Sequence, residues 1–166
     1  MNKIGIIMGS DSDLPIAEKA IEKLAEYGIN YEVHVYSAHR TPEETIRFAK
    51  EARQNGFDAL IGIAGKAAHL AGVIAANTTL PVIGVPVNSS LEGMDALLST
   101  VQMPPGIPVA TVGIDGAANA AILAAEILAV SDEKLAQLLL KKRIEAKEAV
   151  LEKNHRIEEK WNGGTK

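Results

Sequence analysis

Lys3-Ile4-Gly5-Ile6-Ile7-Met8, followed directly by Gly9-Ser10-Asp11-Ser12-Asp13-Leu14-Pro15, opens the chain with an apolar run and a polar, glycine-led turn. The run has no polar alternation, so it reads as a strand buried on both faces, which is the habit of a parallel sheet. From Asp13 to Tyr27 the apolar residues Ile16, Ala17, Ala20, Ile21, Leu24 and Ala25 recur at helical spacing, and Gly28 stops the pattern. The same alternation continues along the chain. Tyr31–Tyr36 reads as a strand and Thr41–Asn55 as an amphipathic helix ended by Gly56. Ala59–Ile63 is a second buried run, and Ala67–Ala76 an alanine-rich helix. Val82–Val85 is a short strand, 93–101 a short helix and Val109–Val112 a last strand. Ala117–Ala129 is almost continuously apolar, a helix expected to be covered on all sides, and Leu135–Trp161 is a long charged helix with a narrow apolar stripe. Strands alternating with helices in this way predict an α/β fold: a flavodoxin-like three-layer sandwich with a central parallel five-stranded sheet and a long C-terminal helix.

Length and charge agree with that reading. A chain of 166 residues suits a single α/β domain. Within it, 1–130 forms the sheet and its covering helices, 131–162 a helical extension, and 163–166 a disordered end. Residues 59–130 hold only Lys66, Glu92, Asp95, Asp115 and Glu126 as charges, so the middle is the buried part. Residues 131–166 carry 9 basic and 7 acidic side chains, a solvated face. The net charge of −4 argues against a nucleic-acid partner. The absence of cysteine excludes disulfides and thiolate chemistry. No apolar stretch reaches the ~20 residues of a membrane span, and the short run before Gly9 is no signal-peptide core, so a cytoplasmic location is expected.

In sheets of this kind ligands sit beyond the carboxyl ends of the strands, which directs attention to the loops at the strand exits. After the first strand come Ser10, Ser12 and Asp13. Hydroxyls beside a helix N-terminus suit a phosphate, and Asp13 is placed to accept from ribose hydroxyls. Asp13 also fits a plain N-cap, with Pro15 in the first turn. After the second strand come Ser37, His39 and Arg40. Arginine binds phosphate in a bidentate fork, and an imidazole gives and takes protons near neutrality. The alternative is an N-cap at Thr41 with a solvated His39-Arg40 pair. After the third strand come Ala64, Gly65, Lys66, Ala67, Ala68, His69 and Leu70, small residues that let a ligand approach the backbone. Free N–H groups at that helix start would hold a carboxylate or CO₂ oxygen. His69 caps or orients this loop, or is a satisfied core histidine. His34 falls on a polar strand face and His155 on the terminal helix. No metal constellation, Walker loop or GxGxxG fingerprint is present.

Taken together, MGSDSD (8–13), SAHRTPE (37–43), AGKAAHLAG (64–72), LPVIGVPV (80–87) and LLSTVQMPPGIPVATV (97–112) resemble one family, the N5-carboxyaminoimidazole ribonucleotide mutases of purine biosynthesis. The resemblance implies an isomerase that moves a carboxylate from N5 to C4 of an aminoimidazole ribonucleotide. It implies decarboxylation, trapping of CO₂ and recarboxylation, with His39 as the acid and base. It implies that Ser10 and Asp13 bind substrate, and that Ser12, Ser37 and Arg40 sit on the phosphate side. Ala64, Gly65, Lys66, Ala68, His69 and Leu70 then complete the substrate pocket. No cofactor or metal, and a homo-octamer, are implied as well. One departure is that Lys66 stands where most bacterial members have glycine, and Ala71 where they have proline. A related class that carboxylates aminoimidazole ribonucleotide with free CO₂ has lysine where Arg40 stands and lacks the counterpart of His69, so Arg40 and His69 favour the mutase. A flavodoxin-like module holding FMN would need aromatic rings at the strand exits, and Tyr31, Tyr36, Phe48 and Phe57 fall elsewhere. A phosphorelay receiver would need an acceptor aspartate where Ala64-Gly65 stands.

Overall fold

Isoleucines at 4, 6, 7, 61, 63 and 83 have no exposed surface, and they lie on strands whose side chains alternate between the two sheet faces. Both faces must therefore be covered. Each fully buried side chain of this size contributes roughly 1.5–3 kcal/mol from desolvation, so this set drives the assembly of the sheet. The computed structural model describes residues 2–162; the expected disorder of 163–166 lies outside the described residues. Five strands form one sheet in the order β2-β1-β3-β4-β5. They are β1 Lys3–Met8, β2 Asn30–Val35, β3 Ala59–Gly65, β4 Val82–Val87 and β5 Ala110–Thr111. Every pairing is parallel, with Ile4 opposite both Tyr31 and Ala59, and Gly62 opposite Gly84. The expected flavodoxin-like α/β fold is thus present.

The helices are α1 Leu14–Glu26, α2 Pro42–Glu51, α3 Leu70–Ala75, α4 Met94–Val101, α5 Ala117–Ala129 and α6 Glu133–Trp161. On one sheet face Ile7, Leu60 and Val82 pack with Ala49 and Ala52, within and just after α2, and with Leu70, Ala71 and Ile74 of α3. Side chains at Ile4, Ile6, Ile61 and Ile63 point to the other face by alternation. The chain clusters into two compact units, 1–128 and 129–166. In the second unit, α6 is capped at its start by the Asp132 side chain, which accepts from the Leu135 N–H at 3.1 Å.

Several boundaries differ from the sequence reading, each for a local reason. The last strand shrinks from 109–112 to two residues at the sheet edge. A 3-10 turn over Asp11–Asp13 precedes α1. α3 begins at Leu70 rather than Ala67, because the Ala68 and His69 N–H groups bond back to the Lys66 and Ala67 carbonyls at 2.8 Å in consecutive tight turns. α5 is not covered on all sides within the chain: Ala117, Ala120, Ala121, Ala124, Ala125 and Leu128 form one buried face, while Asn119 is exposed and Ile122, Leu123 and Ile127 are half-buried. His34 shares its strand face with Asn30 and Glu32, and its Nε2 lies 3.5 Å from Glu32 Oε2. Its ring stacks on Tyr36 at 5.2 Å and tilts against Phe48 at 4.8 Å.

Because all strands run the same way, their carboxyl ends share one edge. The chain leaves β1 toward β2 and returns to β3 on the other side, so the direction reverses between β1 and β3. That is the switch point where such sheets open a crevice. The Gly9 N–H donates to the Ile63 carbonyl at 2.9 Å and holds the two loops together at its floor.

Candidate active site

A cavity of about 550 Å³ occupies this switch point. Its wall is built from the exits of the first four strands: Gly9, Ser10, Ser12 and Asp13, then Ser37 to Arg40, Ala64 to Ala67 with His69 and Leu70, and Ser89. Nearly every residue singled out from the sequence is brought together here. The exception is Ala68, which does not line the cavity. The tight turns that delay α3 rotate it into the core, where it is 2% exposed. Ala67 takes its place on the wall. The same turns consume the Ala68 and His69 N–H groups, and the Lys66 N–H donates to Ser89 Oγ at 3.1 Å. These three amides are therefore not the free anion-holding groups that the sequence reading expected.

The first loop presents hydroxyls. Ser12 Oγ donates to Ser10 Oγ at 2.9 Å, and Ser10 Oγ donates to Asp11 Oδ1 at 3.2 Å. Asp13 stands at the N-cap position of α1, but its side chain makes no capping bond. Its carboxylate is left for other work. Burial pushes the Asp13 carboxyl above its ordinary value, a backbone hydrogen bond from Ser10 opposes this, and the Asp11 charge adds to it. Carboxyls weakened as acids in this way at a cavity wall are candidates for function.

The second loop supplies the cation. Arg40 Nη2 donates to the Gly9 carbonyl at 3.1 Å, tying the β2 exit to the β1 exit. This bond uses one of five guanidinium N–H donors; the rest of the fork remains for an anion. The turn beneath it is rigid. Ser37 Oγ accepts from the Arg40 N–H at 3.2 Å, and the Ser37 N–H donates to Thr41 Oγ1 at 2.8 Å. Thr41 precedes Pro42 at the start of α2, yet its hydroxyl serves this turn and not a helix cap. His39 is exposed to the cavity, and its Nε2 lies 2.8 Å from His69 Nδ1. The two rings meet edge to face, centroids 5.0 Å apart. His69 is therefore neither a core histidine nor a side-chain cap: it is exposed, and α3 receives no capping bond from it.

The third loop carries two backbone requirements. A Cβ on Gly65 would lie 2.3 Å from Ser89 Oγ, so with any other residue there the Ser89 hydroxyl must turn away. Lys66 has φ 56, the left-handed region that costs most residues energy and glycine little. A hydrogen bond from the Ser90 hydroxyl is the main cause holding the Asp95 carboxyl below its ordinary value, and the exposed Lys66 ammonium is a smaller one. Ser89 was missed by the sequence reading. The rule of looking past each strand would have found it, since Asn88-Ser89-Ser90 comes directly after β4.

A larger cavity of about 970 Å³ opens beside the amino-terminal ends of β4 and β5, with Lys50, Arg53, Asn77, Thr79 and Pro108 among its walls. Size alone would favour it. It holds no imidazole and no carboxylate, and it lies at the wrong end of a parallel sheet for a strand-exit site, so the smaller cavity is the candidate for chemistry. Among the described residues no group of three His, Cys, Asp or Glu side chains stands close enough to hold a metal ion, and no helix is long and apolar enough to cross a membrane.

Comparison with known proteins points the same way as the geometry. The AIR carboxylase family model matches residues 3–149. The N5-carboxyaminoimidazole ribonucleotide mutase of Methanocaldococcus jannaschii is 56% identical over 156 residues, covering 94% of this chain and 98% of that protein. The mutase of Bacillus subtilis is 52% identical over 157 residues, covering 93% and 97%. Among solved structures, the crystal structure of Treponema denticola PurE superposes with a TM-score of 0.83 at 30% identity, covering 94% of this chain and 98% of that one. The chain belongs to the AIR carboxylase family, and within it to the N5-carboxyaminoimidazole ribonucleotide mutases.

Proposed function

We propose that the cavity between the β1 and β3 exits is where the chain moves the carboxylate of N5-carboxyaminoimidazole ribonucleotide from N5 to C4, with His39 as the single acid and base. The observation that carries this reading is convergence: two imidazoles in contact, one guanidinium fork, serine hydroxyls and a buried carboxyl face one cavity of about 550 Å³. Arg40, Ser12 and Ser37 hold the phosphate ester, and Ser10 and Asp13 the ribose side. Ala64, Gly65, Leu70 and the methyl of Ala67 make a small wall beside His39 that suits CO₂, with Lys66 at the rim. The steps balance without a cofactor. His39 in its imidazolium form gives its proton to N5 as the N5–carboxyl bond breaks, which releases CO₂ and the free amine. The enamine carbon C4 then attacks the trapped CO₂, forming the new carbon–carbon bond. His39, now neutral, removes the C4 proton and restores the aromatic ring. General acid–base work of this kind contributes about 10²–10⁴-fold, and holding CO₂ beside its acceptor adds a proximity gain.

The enzyme is read as cytoplasmic and homo-oligomeric, an octamer. Exposed apolar side chains in each unit support self-association: Met94, Leu98 and Val101 on α4 of the first, and, separately, Leu140, Ile144, Val150, Leu151, Ile157 and Trp161 on α6 of the second. Light scattering on the purified protein tests the octamer; a monomer at micromolar concentration contradicts it. The activity is tested by following absorbance with N5-carboxyaminoimidazole ribonucleotide in one cuvette and aminoimidazole ribonucleotide plus bicarbonate in another. Turnover only in the first is expected. Turnover only in the second makes the chain a carboxylase that uses free CO₂.

A further inference from the structure

His69 has its backbone fully engaged by the turn it sits in: its N–H donates to the Ala67 carbonyl and its carbonyl accepts from the Val73 N–H at 2.9 Å. Its side chain caps nothing and is not buried. What the ring does instead is place Nδ1 2.8 Å from His39 Nε2. A hydrogen bond between two imidazole nitrogens admits two directions, and they have different consequences for the chemistry. If His69 Nδ1–H donated, the neutral His39 ring would carry its proton on Nδ1 and its only lone pair would be committed to His69. Such a ring has no base to offer at the second proton step. If His39 Nε2–H donates, Nε2 stays protonated in both the neutral and the imidazolium ring. The proton that comes and goes is then the one on Nδ1, which no hydrogen bond engages among the described residues.

We infer that His69 is a positioning residue: by accepting the Nε2–H of His39 it holds that ring in one tautomer and makes Nδ1 the atom that gives and receives the proton. This rests on His39 being the proton carrier. The bond keeps its direction through the cycle, so nothing reorganises between the acid and the base step, and it is strongest when His39 is charged. Partners behind metal-bound histidines fix the ring in this way, and removing one typically costs about 10–100-fold in affinity or activity; the same scale is expected here.

The test combines ¹⁵N spectroscopy of histidine-labelled protein, with His39 assigned from the His39→Asn spectrum, and steady-state kinetics. In the unsubstituted protein the neutral His39 ring is expected as the Nε2–H form. In His69→Leu it is expected as a mixture, with kcat down 10- to 100-fold and KM within about three-fold. His69→Asn, whose Oδ1 replaces Nδ1 as acceptor, should recover most of the kcat and the single tautomer. A neutral His39 protonated on Nδ1 in the unsubstituted protein overturns the inference whatever the variants do. So does an unchanged kcat in His69→Leu, or a rise confined to KM, which would make His69 a substrate contact. Turnover surviving in His39→Asn would instead remove the reading on which the inference stands, and is told apart by that variant.

Discussion

Replacing Lys66 separates a backbone effect from a charge effect at the same residue. Lysine at φ 56 bears a left-handed penalty of about 1–2 kcal/mol. Glycine escapes it but loses roughly 0.5–1 kcal/mol more chain entropy on folding. Lys66→Gly should therefore be more stable than the parent by about 0.5–1 kcal/mol, while Lys66→Ala, which keeps the penalty, should sit near the parent. The Lys66 N–H bond to Ser89 Oγ is a main-chain bond and survives both changes. Both variants lose the same ammonium, so they should lose the same affinity. An exposed ion contact is worth about 0.2–1 kcal/mol, which converts to roughly a 1.4- to five-fold rise in KM. Urea unfolding at one fixed protein concentration measures the first quantity, since self-association shifts apparent stability; initial rates measure the second. Equal stability of the glycine and alanine variants would refute the backbone argument. An unchanged KM in both would show that the ammonium points away from the ligand.

Arg40→Ala removes the tie to the Gly9 carbonyl together with the proposed phosphate fork, and should weaken binding of the ribonucleotide by at least ten-fold in calorimetry; an unchanged dissociation constant rejects the contact. Gly65→Ala drives a methyl to 2.3 Å from Ser89 Oγ, so Ser89 must release the Lys66 N–H, at about 0.5–1.5 kcal/mol. Ser89→Gly alone loses the same hydrogen bond, so adding Gly65→Ala to it should cost little further in urea unfolding, and a fully additive cost in the double variant contradicts the steric account. Glu32 is held below its ordinary value mainly by the hydrogen bond from Lys3, whose Nζ lies 2.6 Å away. Its stabilisation is present above the unfolded carboxyl value and lost as pH falls through the lower folded one. The pair is half-exposed, so Glu32→Gln should cost under about 1 kcal/mol at pH 7, with the difference vanishing in strong acid; a difference that persists there contradicts the assignment.

The buried strands were legible because Lys3–Met8 and Ala59–Ile63 are apolar without interruption, and only a sheet covered on both faces tolerates that. α5 was legible to the residue, since Gly116 and Ser131 flank an unbroken alanine-rich run. Its coverage was not, because periodicity reports which residues are apolar and not whether a neighbour exists to cover them. The convergence of these loops on one cavity was legible loop by loop: parallel strands with polar exits leave few alternatives. What escaped is what depends on backbone torsions. Ala67-Ala68 has strong helix propensity, yet left-handed Lys66 and the two turns after it push α3 forward to Leu70 and swing Ala68 inward. The same turn throws the His69 ring out toward His39, a contact across 30 residues that no local pattern encodes.

The claim that a single imidazole carries the proton on and off the ring carbon is tested most directly by His39→Asn in a single-turnover absorbance experiment with N5-carboxyaminoimidazole ribonucleotide. Asparagine keeps the polar volume and cannot exchange a proton near neutrality. The account predicts an unchanged dissociation constant with the conversion rate down by at least about 10²-fold. Conversion within a few-fold of the parent would contradict it.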